Sequence, residues 1–207
     1  MLKTRIAVLV SGGGTNLQAL IDAQSSGIIR SGEITLVVSS SETAYALERA
    51  KNHGIASVTV ARKTCASSAE FESRIQSALI EYDIQLVVLA GFMSILSADF
   101  VSKWENRMIN VHPSLIPSFC GEGYYGLRVH QAALEYGVKV TGATVHFVNE
   151  IPDGGKIILQ KSVKVHKNDT AEILQRRVME SAEWIILPRA AELVSAKILK
   201  EGPAYGR

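Results

Sequence analysis

Short runs of β-branched and apolar residues at 5–10, 34–38 and 86–90 recur along the chain, separated by stretches of helical spacing and short loops. The run at 86–90 is nearly continuous and has no polar face to offer water. It therefore reads as a strand covered on both sides, the situation inside a parallel sheet flanked by helices. Two later stretches, 140–148 and 157–165, alternate in polarity and carry Pro/Gly turn chemistry between them, so they read as a strand pair. No internal repeat, low-complexity tract or linker interrupts the pattern. The expected fold is α/β: one doubly wound, mostly parallel sheet with helices on both faces and an antiparallel strand pair near the C-terminal part. It is expected to form a single domain over residues 1–207, with a loose tail at about 201–207.

Between the strands, helical spacing begins at Asn16 with Leu17, Leu20 and Ile21, and continues at 44–52, where Gly54 is the expected C-cap. Ser67 or Ser68 caps a helix running through Tyr82, with Phe71, Ile75, Leu79 and Ile80 on its buried face. Residues 98–104 and 129–136 follow, the latter stopped by Gly137. A long helical pattern at 170–197 contains Pro188, which is expected to kink it or split it in two.

Composition narrows the partners. The formal net charge is +2 and the basic residues are scattered, so no Lys/Arg stripe argues for nucleic acid or an anionic membrane surface, while small anionic substrates remain compatible. Cys65 and Cys120 are too few and too poorly spaced for a zinc site or a disulfide framework, and read as reduced thiols of a cytoplasmic protein. No apolar run approaches the ~18 residues of a membrane span.

Chemistry concentrates in three places. In the run 109–117, a strand ends at His112 because Pro113 biases the residue before it toward extended geometry. Asn110 and His112 are two apart, so both side chains share one face at the carboxyl edge of the sheet, where open α/β folds bind ligands. An amide donor beside an imidazole suits chemistry at a carbonyl. Gly12, Gly13 and Gly14 follow the first strand and precede a helix, a turn that presents N–H groups to an anion such as phosphate. It is neither a dinucleotide fingerprint, since Leu17 replaces the third glycine, nor a P-loop. After the strand at 140–148, Asp153 stands in a Pro-Asp-Gly-Gly turn. Two loops complete the picture. The apolar loop 91–96 either meets a flat hydrophobic ligand or packs under the next helix, and the long connection 113–127 reads as a flap over the site.

The segments SGGGTNLQAL, LAGFMSIL, INVHPSLIP, TVHFVNEIPDGG and ILQKSV occur in this order over most of the chain. With them the sequence resembles the phosphoribosylglycinamide formyltransferases, which carry a formyl group from 10-formyltetrahydrofolate to glycinamide ribonucleotide in purine synthesis. Formyl transfer needs a donor for the developing oxyanion, whose loss costs about 3 kcal/mol in comparable acyl-transfer sites. It also needs a proton shuttle and a carboxylate to orient that shuttle. Asn110, His112 and Asp153 fit these roles, and the resemblance assigns them at the same positions. It further implies that Gly14, Thr15 and Asn16 contact the substrate phosphate. Glu183, or Glu180 given one extra residue in the preceding helix, would accept from the ribose, and Met93, Ser94, Ile95, Leu96, Asn149, Glu150 and Asp153 would line the folate site. His130 and His146 are expected at most at the pocket edge. The family's arginines near the folate tail are Ser68 and Ser94 here, with Arg62 or Lys63 as substitutes, and its proline after Asp-Gly-Gly is Lys156. The expected state is a monomer or homodimer. The rivals are another folate formyltransferase or a formyltetrahydrofolate hydrolase, of which the usual tRNA formylase carries an extra C-terminal domain and the hydrolase an N-terminal regulatory one, neither expected in this chain, and a phosphometabolite-binding module without catalysis.

Overall fold

The computed structural model describes residues 2–202. Seven strands, β1 (Thr4–Val10), β2 (Gly32–Ser39), β3 (Ala56–Thr59), β4 (Leu86–Leu89), β5 (Met108–His112), β6 (Val140–Phe147) and β7 (Ile157–Lys164), form one sheet in the order β3-β2-β1-β4-β5-β6-β7. The five strands from β3 to β5 are parallel, and β6 runs antiparallel to both β5 and β7. The helices are α1 (Thr15–Ser25), α2 (Tyr45–Asn52), α3 (Ser68–Glu81), α4 (Ala98–Ser102), α5 (Leu127–Tyr136), α6 (Ala171–Val178) and α7 (Trp184–Glu201). No described helix is long and apolar enough to cross a membrane.

The two-residue period of a strand sorts its side chains between two cores. Ile6, Val8 and Val10 of β1 join α1, α2, α6 and α7 on one face, while Ala7 and Leu9 join Phe71, Ile75 and Leu79 of α3 and Phe100 of α4 on the other. Ser67 is the cap that α3 uses, its hydroxyl accepting from the Glu70 N–H. Ile80 departs from the expected face and is 64% exposed, because a 3.6-residue turn carries it past the stripe set by Phe71, Ile75 and Leu79. β6 is buried from Thr141 to His146 rather than alternating, since both of its faces are covered.

The expected break at Pro188 is also displaced. Pro188 lies inside α7, and the irregularity precedes it: Met179–Glu183 winds as a π-helix, with the Trp184 N–H bonded to the Met179 carbonyl five residues back. A proline ring crowds the carbonyl four residues before it, here Trp184, which is the residue where the wide turn hands over to α-helix. The strain is thus relieved upstream and the helix continues. Glu201, expected in the tail, is the last residue of α7, and the rest of the tail from residue 203 lies outside the described residues.

Candidate active site

β5 carries Asn110 and His112 at its carboxyl edge, and the turn after β6 returns Asp153 to them. His112 Nδ1 lies 3.3 Å from one Asp153 oxygen, and the other accepts a long 3.5 Å hydrogen bond from Asn110 Nδ2. Antiparallel pairing sets His146 of β6 directly opposite Asn110, where its Nε2 is 3.3 Å from Asn110 Nδ2 and 3.5 Å from Asp153. His146 Nδ1 faces the Phe147 carbonyl at 2.8 Å, so a proton belongs on Nδ1, and Nε2 is left facing both the Asn110 amide and the Asp153 carboxylate. Asp153 has φ 56, a left-handed conformation that asparagine and aspartate tolerate better than most residues and that turns its side chain inward. A Cβ at Gly155 would stand 1.7 Å from the Phe147 carbonyl oxygen, so the second glycine of this turn is required by close backbone approach.

The segment 113–126 folds over this group. Thr144 Oγ1, paired with His112 across the sheet, donates to the Ser114 carbonyl and accepts from the Ile116 N–H, which fixes the root of the segment. Farther along, the Phe119 carbonyl lies 2.8 Å from His112 Nε2, and the Gly121 N–H donates to Asp153 at 2.9 Å. Both ring nitrogens of His112 therefore face oxygen acceptors, which favours the charged ring. Burial opposes this and is the stronger influence, holding the imidazole below its ordinary value. Burial also pushes the Asp153 carboxyl up, but His146, His112 and the Gly121 N–H together outweigh it and hold it below the usual carboxylate range. The two partners thus shift in the same direction, as expected when one ring pays more for desolvation than its carboxylate returns.

On the same carboxyl edge, after β1 and with only β4 between it and β5, Gly14 caps α1 at φ 71. The first turn of α1 has neither a side-chain cap nor an acidic residue, leaving its N–H groups and partial positive charge available to an anion beside Thr15 and Asn16. A Cβ on Gly14 would come within 2.7 Å of the Ala46 Cβ, in a backbone region where side chains are already strained. Gly14→Ala is therefore expected to cost roughly 1–3 kcal/mol and to lower Tm by several degrees in a thermal melt. An unchanged Tm would show that α2 can retreat.

Asn16 Nδ2 donates to Glu183 at 2.8 Å, while Glu180 is exposed on the same π turn. Of the two glutamates left undecided by the sequence, Glu183 is the one brought to Asn16 beside the Gly-rich loop. It is buried, and burial raises its carboxyl from 4.5 to about 7, partly offset by the Asn16 hydrogen bond. A raised carboxyl favours the fold below its unfolded pKa, and this contribution is lost as pH climbs from about 4.5 through about 7. Glu183→Gln should therefore stabilise the protein at pH 8 relative to pH 5 by roughly 3 kcal/mol at most. Denaturant titrations at the two pH values check this, and equal stability changes at both would refute it.

In the apolar loop 91–96, Phe92 and Leu96 pack against the α3 core, with Phe92 stacked on Phe71, whereas Met93 and Ile95 are exposed. Two of the loop's apolar residues thus pack under the neighbouring helices, and two are left exposed. Ser94 is partly buried between them, and the Met93 N–H donates to Ser11 Oγ, tying the loop to the Gly-rich turn. Asn149 Oδ1 accepts from the Ile151 N–H as an Asx turn, and Glu150 is exposed. Arg62 donates to Ser68 Oγ and stands over the Phe71 ring, so a guanidinium does reach the position of Ser68. Among residues that sequence reasoning set aside, His146 belongs to the cluster itself. The signal was cross-strand: once β5 and β6 are paired antiparallel, Asn110 and His146 fall opposite one another. His130 of α5 is buried with neither ring nitrogen bonded, and burial lowers it to about 4.

The family described as formyl transferase matches residues 4–191. The chain is 45% identical over 200 residues to the human trifunctional purine biosynthetic protein adenosine-3, covering 97% of this chain and 19% of that one. It therefore spans 14–19% of the length of the trifunctional relatives it matches. It is 41% identical over 184 residues to phosphoribosylglycinamide formyltransferase of Haemophilus influenzae, covering 89% of this chain and 84% of that protein. The crystal structure of glycinamide ribonucleotide transformylase 1 from Symbiobacterium toebii superposes with a TM-score of 0.88 at 40% identity, covering 94% of this chain and 89% of the other. By a match along nearly its whole length, and by relatives of its own size, the chain belongs to the formyl transferase family, among the phosphoribosylglycinamide formyltransferases.

Proposed function

We propose that this protein, acting as a single formyltransferase domain, moves the formyl group of 10-formyltetrahydrofolate to the amine of glycinamide ribonucleotide in purine synthesis. The observation that carries the reading is the convergence of Asn110, His112 and Asp153, from two separate chain segments, on the sheet edge that also bears the Gly-rich turn. Phosphate would sit at the α1 N-terminus by Gly14, Thr15 and Asn16, and the ribose hydroxyls would donate to Glu183. The flat folate would lie against Met93, Ser94, Ile95, Leu96 and the turn at Asn149, Glu150 and Asp153, with Arg62 available to its carboxylates. The amine attacks the formyl carbon, Asn110 meets the oxygen as it gains charge, and His112, oriented by Asp153, relays the proton from the attacking nitrogen to the departing folate nitrogen. Folding and catalysis both fit a protein of the cytoplasm.

The test is incubation with formyl folate, with and without glycinamide ribonucleotide, following folate absorbance. Transfer only with the nucleotide supports the proposal. Loss of formyl without it makes the protein a hydrolase, and silence in both makes it a binding module.

A further inference from the structure

Phe119 has φ 49, in the left-handed region that a phenylalanine rarely adopts, and Asp153 opposite it has φ 56. These two unusual backbones touch one imidazole from its two nitrogens, Phe119 through its carbonyl on Nε2 and Asp153 through its carboxylate on Nδ1. The Phe119 ring is held edge-on by Tyr124 of the same segment, at 6.3 Å between centroids, and by Tyr136 at the end of α5, at 5.9 Å. Such contacts supply the attraction that keeps an unfavourable backbone in place. A carbonyl oxygen only accepts, so at 2.8 Å the Nε2 atom carries a proton.

We propose that Phe119 is a positioning residue for His112: its main-chain carbonyl accepts a hydrogen bond from Nε2 and, with Asp153 on the other nitrogen, fixes the ring's orientation before substrate binds. The inference rests on the role proposed for His112 above. When a reacting group takes the carbonyl's place at Nε2, the ring is already turned toward it and loses no further freedom. The titratable groups around His112 are Asp153 from the turn after β6, His146 from β6 and His130 from α5, with Cys120 on the covering segment beside Asp153. None of them touches Nε2, which leaves the carbonyl as the partner of that atom.

Phe119→Ala removes the aromatic clamp, and Phe119→Tyr keeps it. In Phe119→Ala, kcat is expected to fall about tenfold, with KM for both substrates within about twofold. The limb of the kcat–pH profile set by His112 should move to lower pH, because the carbonyl favours the charged ring. Phe119→Tyr should restore both. Since loss of the ring also removes packing, the wild-type protein gives an independent reading: ¹⁵N spectra of labelled histidine should show His112 Nε2 protonated between about pH 6 and 8. An unshifted pH limb in Phe119→Ala, or an unprotonated Nε2 in the wild type, overturns the proposal. If His112→Ala keeps wild-type kcat, the catalytic role itself fails; if His112→Ala is inactive while Phe119→Ala behaves as wild type, only the positioning role does.

Discussion

Asp153→Asn should leave the protein folded and lower kcat by roughly 10² to 10⁴, the range lost when a proton shuttle is mis-set. The side chain keeps its shape in this substitution, but its charge is gone and an NH₂ must face one of its present partners. Those are His112 Nδ1, His146 Nε2, Asn110 Nδ2 and the Gly121 N–H, of which two or more need an acceptor at any time. The carboxyl lies below its usual range, so it is ionised throughout the working pH. By the same linkage, the stability it contributes is present above its unfolded pKa and is lost as pH falls through the lower folded value. The variant should therefore also lose part of the wild type's sensitivity to acid. Steady-state rates with both substrates, beside circular dichroism and a melt, provide the check. A kcat within about threefold of wild type in a folded protein would remove Asp153 from the mechanism.

The parts of the molecule that sequence exposed best are those governed by short-range rules. The apolar runs at 5–10 and 86–90 became β1 and β4 because burial on both faces leaves such residues no other place. Pro113 ended β5 at His112 through a local steric restriction, and Gly137 ended α5 by adopting φ 81. What escaped depends on distant partners. His146 looked isolated because its neighbours in space, Asn110 and Asp153, are fixed by strand register and by a turn that doubles back. Pro188 does not break its helix, because the π turn that accommodates it lies upstream, ending at the Trp184 whose carbonyl the proline ring would crowd. The left-handed backbone of Phe119 has no local signature, and the groups this residue meets, Tyr124, Tyr136 and His112, are set by the fold.

Asn110→Ala tests the remaining member of the group, and its expected effect is a loss of roughly 10² to 10³ in kcat, about 3–4 kcal/mol in the barrier, with KM nearly unchanged. The amide is partly buried, its Nδ2 hydrogens directed at His146 and Asp153 by bonds of 3.3 and 3.5 Å. Contacts this long are weak, so the donor can turn to a stronger acceptor, and an oxygen gaining negative charge is one. That preference exists only as charge develops, which is why the loss should appear in kcat rather than in binding. Asn110→Asp is the sharper variant: it keeps the volume, removes the donors and sets a second carboxylate beside Asp153, raising the pKa of one of the pair. Its rate should fall at least as far as that of Asn110→Ala and recover partly toward low pH, where one carboxyl is protonated. Joined to His112→Ala, Asn110→Ala should cost less than the product of the two single losses, because the two side chains act on the same transition state. A fully multiplicative double variant would mean that the amide and the imidazole serve separate steps.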